Sequence, residues 1–263
     1  MNDALIGFSG FVGSTLLKQK KFVNLFRSTN ILDIEKKEFD IVVCAGTAAQ
    51  KWIANSDPVS DRSKILSLIK SLKTIKCKKF VLISTVDVFK FPVQVDESTC
   101  VDEHELMPYG LHRHELEKFV KLNFNDHLIV RLPGLVGPGL RKNAIFDLHN
   151  NNNIDAIDSR SIYQFYPMVN LWYDINIAIN SNLKLIHLTS EPLSIAELSE
   201  GCFGRKFNNH ILKMPHNYDF QSRHAEIFGS SLKYQYSKRD TILSIRSYAQ
   251  SECFTNNYID SFK

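Results

Sequence analysis

Near the amino end of the chain, Gly7, Gly10 and Gly13 stand at G-x-x-G-x-x-G spacing, between the short apolar run Ala4-Leu5-Ile6 and the periodic apolar residues Val12, Leu16 and Leu17. A strand, a tight turn and a helix in that order make a phosphate cradle. Gly7 and Gly10, lacking side chains, let the backbone turn and approach a pyrophosphate, and Gly13 lets the helix pack close to the strand. The unpaired N–H groups of the helix start, through Phe11, Val12 and Gly13, supply the anion site. The same spacing also fits glycines in a plain surface turn. Two further places carry reactive side chains. Thr85 follows the apolar run Phe80-Val81-Leu82-Ile83, with Asp87 shortly after it; at the carboxyl end of a parallel strand such a hydroxyl faces the ligand crevice. Tyr109 and Arg113 are four residues apart, hence on one helical face, where both can act on one ligand. Each has a plainer reading: Thr85 as a strand-end turn residue, Tyr109 as a partly buried aromatic, Arg113 as a solvated helix residue.

The elements that must position these residues alternate between strands and helices. Residues 22–26 read as a second strand that ends at Arg27 and Ser28. In a dinucleotide-binding fold that strand end lies beside the adenosine ribose, where an acid favours a free 2′-hydroxyl and an arginine accommodates a 2′-phosphate. Arg27 and Ser28 therefore lean towards NADP over NAD, with an arginine solvated at a strand end as the alternative. Residues 30–38 are too few for a full helix and another buried strand, so the sheet is abbreviated there. Residues 39–46 form a continuous apolar run of the kind buried on both faces of a parallel sheet, and Ala45 and Gly46 at its end are small enough for close backbone approach to a cofactor. A helix is predicted over residues 60–72, with Ile65, Leu68, Ile69 and Leu72 on one face and Pro58 near its entry. This rhythm points to an α/β fold with a parallel, doubly wound sheet.

Composition narrows the function. With 263 residues, 44% hydrophobic and 23% charged, the chain suits an ordinary globular protein with a sizeable core. Its formal net charge of +4 is modest and its basic residues are scattered, so nucleic-acid binding is not expected, only a mild attraction for phosphorylated small molecules. No apolar stretch is long enough to span a bilayer, and no basic stretch and apolar run of a secretory signal precede the first strand. The 5 cysteines contain no C-x-x-C pair, so neither a disulfide framework nor a metal site is expected, and a cytoplasmic location follows as the default.

Taken together, these motifs resemble the extended short-chain dehydrogenase/reductase superfamily, in its nucleotide-sugar epimerase, dehydratase and reductase branch. Gly7, Gly10 and Gly13 match the cofactor loop. Thr85 with Asp87-Val88-Phe89 matches the catalytic Ser/Thr and the Val-Tyr strand end that follows it, and Tyr109-Gly110 matches the start of the Tyr-x-x-x-Lys helix. Residues 130–139 resemble the strand and loop that lead into the sugar-nucleotide domain, and residues 186–189 with 194–198 the late strand and helix. The main departure is Arg113, where the family pattern has lysine; Phe89, where the family often has tyrosine, is a lesser one.

The resemblance implies a Rossmann-like NAD(P)-binding domain over residues 1–136 and a mostly substrate-binding lobe over 137–263, with segments around 166–190 returning to the first domain. It implies hydride transfer between a nicotinamide and a carbon of a nucleotide-linked keto sugar, ending in reduction, epimerisation or dehydration. Tyr109 would exchange a proton with the sugar oxygen and Thr85 would hydrogen-bond it. Arg113 would orient the cofactor ribose and bias Tyr109 towards phenolate, keeping lysine's charge but not its reach or its ability to release a proton. Asp87 is either a further acid or a turn cap. The basic cluster Arg141, Lys142 and Asn143 is either a seat for the substrate diphosphate or a solvated loop. The aromatic stretch of Tyr163, Phe165, Tyr166, Trp172 and Tyr173 is expected in the core of the small lobe. The last helix is expected over residues 240–252, with Ile242, Ile245 and Tyr248 inward. By analogy with the family the partner is a second copy, as a homodimer. Because Arg113 departs from the pattern, a non-catalytic cofactor-sensing or scaffold protein of the same fold is the alternative.

Overall fold

In the computed structural model, which describes residues 1–104 and 106–254, the apolar runs become strands and the periodic stretches become helices. In chain order these are β1 (Ala4–Ile6), α1 (Phe11–Gln19), β2 (Asn24–Phe26), β3 (Glu38–Cys44), α2 (Lys51–Ser56), α3 (Pro58–Leu72), β4 (Lys76–Thr85), β5 (Val93–Val95), α4 (Pro108–Asn123), β6 (His127–Leu132) and β7 (Gly134–Val136). They continue with α5 (Ala144–Asn150), β8 (Ile162–Tyr163), β9 (Phe165–Pro167), α6 (Leu171–Asn180), β10 (Leu185–His187), β11 (Leu193–Ser194), α7 (Ile195–Phe203), β12 (Asp219–Phe220) and α8 (Lys238–Ser251). The chain divides into two units. The first holds Met1–Lys90, Glu97–Leu132 and Asn170–His187; the second holds Phe91–Asp96, Pro133–Val169 and the chain from Leu188 onward.

The first unit is built on a 6-stranded sheet in the order β10-β6-β4-β3-β1-β2, parallel throughout. From β1 the chain steps to β2 on one side and then crosses to β3 on the other, so the carboxyl ends of β1 and β3 flank the point where the strand order reverses. Ligands bind at that point in open α/β sheets. The crossing from β2 to β3 uses only a single 3-10 turn, Ile31–Ile34, pinned by the buried Ile34, which is the abbreviation the sequence spacing requires. Strand β2 is shorter than the predicted 22–26: Phe22 is buried ahead of it and Val23 points to solvent.

Val42, Val43, Phe80, Val81 and Ile129 are buried completely, as expected for strands covered on both faces. Ile65, Leu68, Ile69 and Leu72 of α3 and Leu116, Phe119 and Val120 of α4 pack in one cluster with alternate residues of β3, β4 and β6. Each large side chain of this kind contributes about 1.5–3 kcal/mol when fully buried. Among the described residues, no helix is long and apolar enough to cross a membrane.

One buried ion pair fixes how α4 sits on this sheet. Arg131 of β6 donates from Nη2 to Glu117 Oε2 at 2.7 Å and from Nε to Oε1 at 3.0 Å. The Ser84 hydroxyl of β4 donates to the same Oε1 at 2.6 Å, and Arg131 Nη1 lies 3.4 Å from His187 Nε2 of β10. A forked guanidinium–carboxylate pair defines orientation as well as distance, so one carboxylate ties α4 to β6 and β4, and Arg131 extends the network to β10.

In the second unit the strands pair in twos, β12 with β5, β7 with β9 and β11 with β8. Helices α7 and α8 each begin with a capping box, Ser194 with Glu197 and Ser237 with Asp240. Within α8, Ile245 and Tyr248 are buried as expected. The expectation for the aromatic stretch needs correcting, because Trp172 and Tyr173 lie on α6 in the first unit. The inward stripe of α6 is Leu171, Asp174, Ile175 and Ala178, which turns Tyr173 outward, 70% exposed. Trp172 meets Phe22 edge-on, with ring centroids 6.1 Å apart.

Replacing Glu117 by Gln leaves the Arg131 charge buried without its counter-ion. Urea unfolding should show a loss of about 3–5 kcal/mol; a loss below ~1 kcal/mol, the range of an exposed pair, would contradict the role given to this carboxylate.

Candidate functional site

The turn after β1 has the form of an anion cradle. Gly7 takes φ +85°, a left-handed conformation that favours glycine; its N–H donates to Phe26 O at 2.7 Å and its carbonyl accepts from Gly10 N at 3.1 Å. A Cβ on Gly7 would overlap the carbonyl of Ala45, and one on Gly13 would overlap the carbonyl of Gly7. So β1, β3 and α1 meet backbone to backbone. Helix α1 starts after Gly10 with no side-chain cap and no acidic residue in its first turn, leaving its positive end to attract an anion. Arg27 leaves β2 exposed, its Nε donating to Thr29 Oγ1 at 3.0 Å and its guanidinium 5.7 Å from the Phe8 ring centroid. Ser28 beside it is also exposed, as is Gly46 after β3.

At the next strand end, Thr85, Asp87, Tyr109 and Arg113 come together. Helix α4 approaches the turn after β4 so closely that a Cβ on Gly110 would overlap the carbonyl oxygen of Asp87. Asn55 of α2 holds the helix start from the other side, its Oδ1 accepting from Tyr109 N at 3.0 Å. Within this frame the Tyr109 phenol lies near Thr85, and the charges of Arg113, Asp87 and Lys51 also act on its ionisation. Thr85 Oγ1 also accepts from Asp87 N at 3.1 Å and donates to Asp87 Oδ2 at 3.3 Å. The other Asp87 oxygen takes Lys51 Nζ at 2.6 Å.

Arg113 is oriented differently from a cation pointing at a phenol. Its side chain is 3% exposed. Nη1 donates to Asp61 Oδ2 at 2.6 Å and to the Tyr109 carbonyl at 3.2 Å, and Nη2 donates to Asp61 Oδ1 at 2.9 Å and to the Ala48 carbonyl at 2.7 Å. The guanidinium carbon lies 3.9 Å from the Tyr109 ring centroid, against the ring face. Only Nε is buried with no hydrogen-bond partner. His112 Nδ1 lies 2.7 Å from the same Asp61 carboxylate.

Burial disfavours the charged form of Asp61, but the hydrogen bonds from Arg113 and His112 more than offset it and hold the carboxyl below its usual range. For Tyr109, desolvation dominates and pushes the phenol up from its ordinary value. Arg113 and Lys51 pull it down, Asp87 pushes it further up, and the nearby Thr85 hydroxyl pulls it down slightly. The net upward shift leaves a neutral phenol at physiological pH, a proton donor in place beside a second hydroxyl.

Of the other residues singled out in the sequence, Arg141, Lys142 and Asn143 belong to the second unit. There Asn143 caps α5, its Oδ1 accepting from Ile145 N at 2.9 Å and Phe146 N at 3.3 Å, while its Nδ2 donates to Leu135 O at 2.9 Å. Among the described residues no group of three or more His, Cys, Asp or Glu side chains is set to hold a metal ion. Sequence reasoning missed Lys51, Asn55 and Asp61. Asp61 left a signal, since it stands four residues before Ile65 on the apolar stripe of α3, where an acid needs a buried partner. Lys51 and Asn55 left none.

No protein-family model and no curated protein matches the sequence. Among solved structures, a dTDP-4-dehydrorhamnose reductase from Clostridium acetobutylicum is similar over 95% of this chain and 99% of its own, with TM-score 0.72 and 17% identity. A UDP-glucuronic acid 4-epimerase from Bacillus cereus, in complex with NAD and a UDP-4-deoxy-4-fluoro-glucuronic acid, is similar over 95% and 99%, with TM-score 0.68 and 16% identity. The NADPH complex of RMD from Pseudomonas aeruginosa matches over 95% and 99%, with TM-score 0.66 and 18% identity. The fold is that of the extended short-chain dehydrogenase/reductases. At these identities the likeness concerns the fold, and the chemistry has to be argued from the residues.

The Asp61 carboxylate gives stability a definite acid dependence. A folded-state value below the unfolded one, ordinarily 3.8 for aspartate, means that its contribution is fully present above that pH and is lost as pH falls through the depressed folded value. Thermal melts should show Asp61→Asn destabilised by about 3–5 kcal/mol near neutrality, with the gap to the parent narrowing towards acid. A constant gap across that range would contradict the assignment.

Proposed function

We propose that this chain is an NAD(P)-dependent enzyme that reduces or epimerises the keto carbon of a nucleotide-linked sugar. The observation that carries the reading is the docking of α4 on the turn after β4, so close that no Cβ fits at Gly110, which sets Tyr109 near Thr85 in the same unit as a glycine cradle into which a side chain would not fit. When bound, the nicotinamide supplies or accepts the hydride. The backbone of Gly7, Gly10, Phe11, Val12 and Gly13 would hold the diphosphate, Ala45 and Gly46 would leave room for it, and Arg27 with Ser28 would face the adenosine ribose. The solved proteins of this fold include a reductase and an epimerase of nucleotide sugars, and complexes with NAD and with NADPH. The exposed Arg27 favours NADP here, and surface polysaccharide synthesis is the setting such a sugar suggests.

In the reducing direction, Tyr109 donates its phenolic proton to the carbonyl oxygen as that oxygen gains charge, and the Thr85 hydroxyl hydrogen-bonds the same oxygen. The raised phenol is suited to this step because it keeps its proton at working pH. Arg113, clamped by Asp61, positions the Tyr109 ring by lying against its face. That clamp also favours a second reading, in which the fold binds the cofactor as a sensor and turns nothing over.

NADPH and NADH oxidation with a panel of nucleotide 4-keto sugars separates the two. In the enzyme reading Tyr109→Phe lowers kcat by about 10²-fold or more, with the alkaline limb of the parent's reduction rate lying above 10, the ordinary tyrosine value. Equal rates for parent and Tyr109→Phe refute the assigned acid. Cofactor binding without turnover of any panel member, unchanged in Arg113→Lys, also counts against the enzyme reading.

A further inference from the structure

The resemblance to the dehydrogenases assigns residue 113 to the cofactor ribose, but the Arg113 guanidinium has no free surface to offer one. Its side chain is 3% exposed, and its one unpaired donor, Nε, is buried. Each terminal nitrogen makes one hydrogen bond to Asp61 on α3 and one to a backbone carbonyl, Tyr109 O for Nη1 at 3.2 Å and Ala48 O for Nη2 at 2.7 Å. Ala48 belongs to the segment that leaves β3. That segment starts against the glycine cradle, where Ala45 N donates to Ile6 O at 2.9 Å and a Cβ on Gly7 would overlap the Ala45 carbonyl. It ends at Gln50, which caps α2 without a side-chain hydrogen bond. Gly46, Ala48, Ala49 and Gln50 are exposed, so side-chain burial does little to hold this backbone, and its polar groups must serve as anchors.

We propose that Arg113 is a positioning residue for the cofactor, a strut held by Asp61 that fixes the segment after β3 through the Ala48 carbonyl and touches no part of the cofactor itself. The inference rests on the reading that Ala45 and Gly46 of that segment line the cofactor site. The Asp61 carboxylate takes both terminal nitrogens and so sets the plane of the fork, and His112 Nδ1, 2.7 Å from Asp61 Oδ2, braces the carboxylate in turn. With the plane set, the remaining N–H of Nη2 meets the Ala48 carbonyl. A lysine here would still neutralise Asp61, but its ammonium ends one bond short of Nη2 on a flexible stem and has no plane to fix. A segment held before the ligand arrives loses little conformational freedom on binding, whereas a released one adds its ordering cost to each binding event. Asp61 and Arg113 would therefore set cofactor affinity from a distance, through backbone position.

Two measurements on the parent, Arg113→Lys and Asp61→Asn test this: NMR order parameters of the backbone amides of residues 46–50 without ligand, and the dissociation constant of NADPH by fluorescence titration. Arg113→Lys keeps the buried carboxylate paired with a cation, so it is expected to fold; should Asp61→Asn not fold, Arg113→Lys decides alone. The amides of 46–50 should fall from about 0.85 towards ~0.6 in the variants while those of β3 and β4 stay at the parent values. NADPH should bind about tenfold more weakly, in the range of coupling through a shared backbone shift, and the double variant should bind it no more weakly than Asp61→Asn alone. NADPH bound by Arg113→Lys as tightly as by the parent, or more tightly, overturns the proposal, because a residue that contacted the ribose directly would be restored by lysine. Order parameters that stay unchanged over 46–50, or that fall equally in the strands, overturn it as well. If NADPH binds none of the proteins, the cofactor reading fails, and the ligand-free order parameters still decide whether Arg113 anchors the segment.

Discussion

At Gly110 the backbone of α4 lies against the carbonyl oxygen of Asp87 so closely that no Cβ fits between them. That contact brings Tyr109, one residue earlier, near Thr85, two residues before Asp87 in the other chain segment. Two turns further along the helix, the Glu117 carboxylate is forked onto Arg131 and bonded to Ser84, so α4 can neither rotate nor slide without stranding a buried charge. A side-chain-free approach at one end and a buried ion pair further along turn a helix–sheet contact into a device that aims a phenol.

Charge is distributed around that phenol in two separate pairs. Arg113 and Asp61 are buried, doubly bonded and mutually neutralising, and they stiffen the α3–α4 contact. Lys51 and Asp87 are partly solvated, and the second Asp87 oxygen takes the Thr85 hydroxyl. Arginine's planar fork suits the buried pair, and its permanent charge excludes proton release. Desolvation outweighs these charges and keeps the phenol protonated, which favours donation to a carbonyl over abstraction from an alcohol.

Much of this was legible in the sequence because it depended on local rules. The glycine spacing gave the cradle, since Gly7 and Gly13 stand where backbone meets backbone. The uninterrupted apolar runs gave strands buried on both faces, and the short stretch before Glu38 gave the abbreviated crossing from β2 to β3. The helical stripe of Ile65, Leu68, Ile69 and Leu72 gave the buried face of α3. What did not show was pairing across the fold. Asp61 reaches Arg113 over 52 positions and Lys51 reaches Asp87 over 36, and no periodicity within one element encodes a partner on another. The aromatic stretch misled for a related reason: composition groups Tyr163 with Trp172 and Tyr173, but the register of α6 assigns the latter two to the first unit and sends Tyr173 to solvent.

If the close docking at Gly110 aims the Tyr109 phenol, kcat and cofactor affinity must part company in Gly110→Ala. An added methyl should force α4 away from the β4 turn at a cost of about 1–3 kcal/mol, leaving a folded protein that binds NADPH as the parent does, because the Gly7 cradle is untouched, with kcat lowered roughly as far as by loss of the phenol, about 10²-fold. A folded Gly110→Ala protein with parental kcat would contradict it.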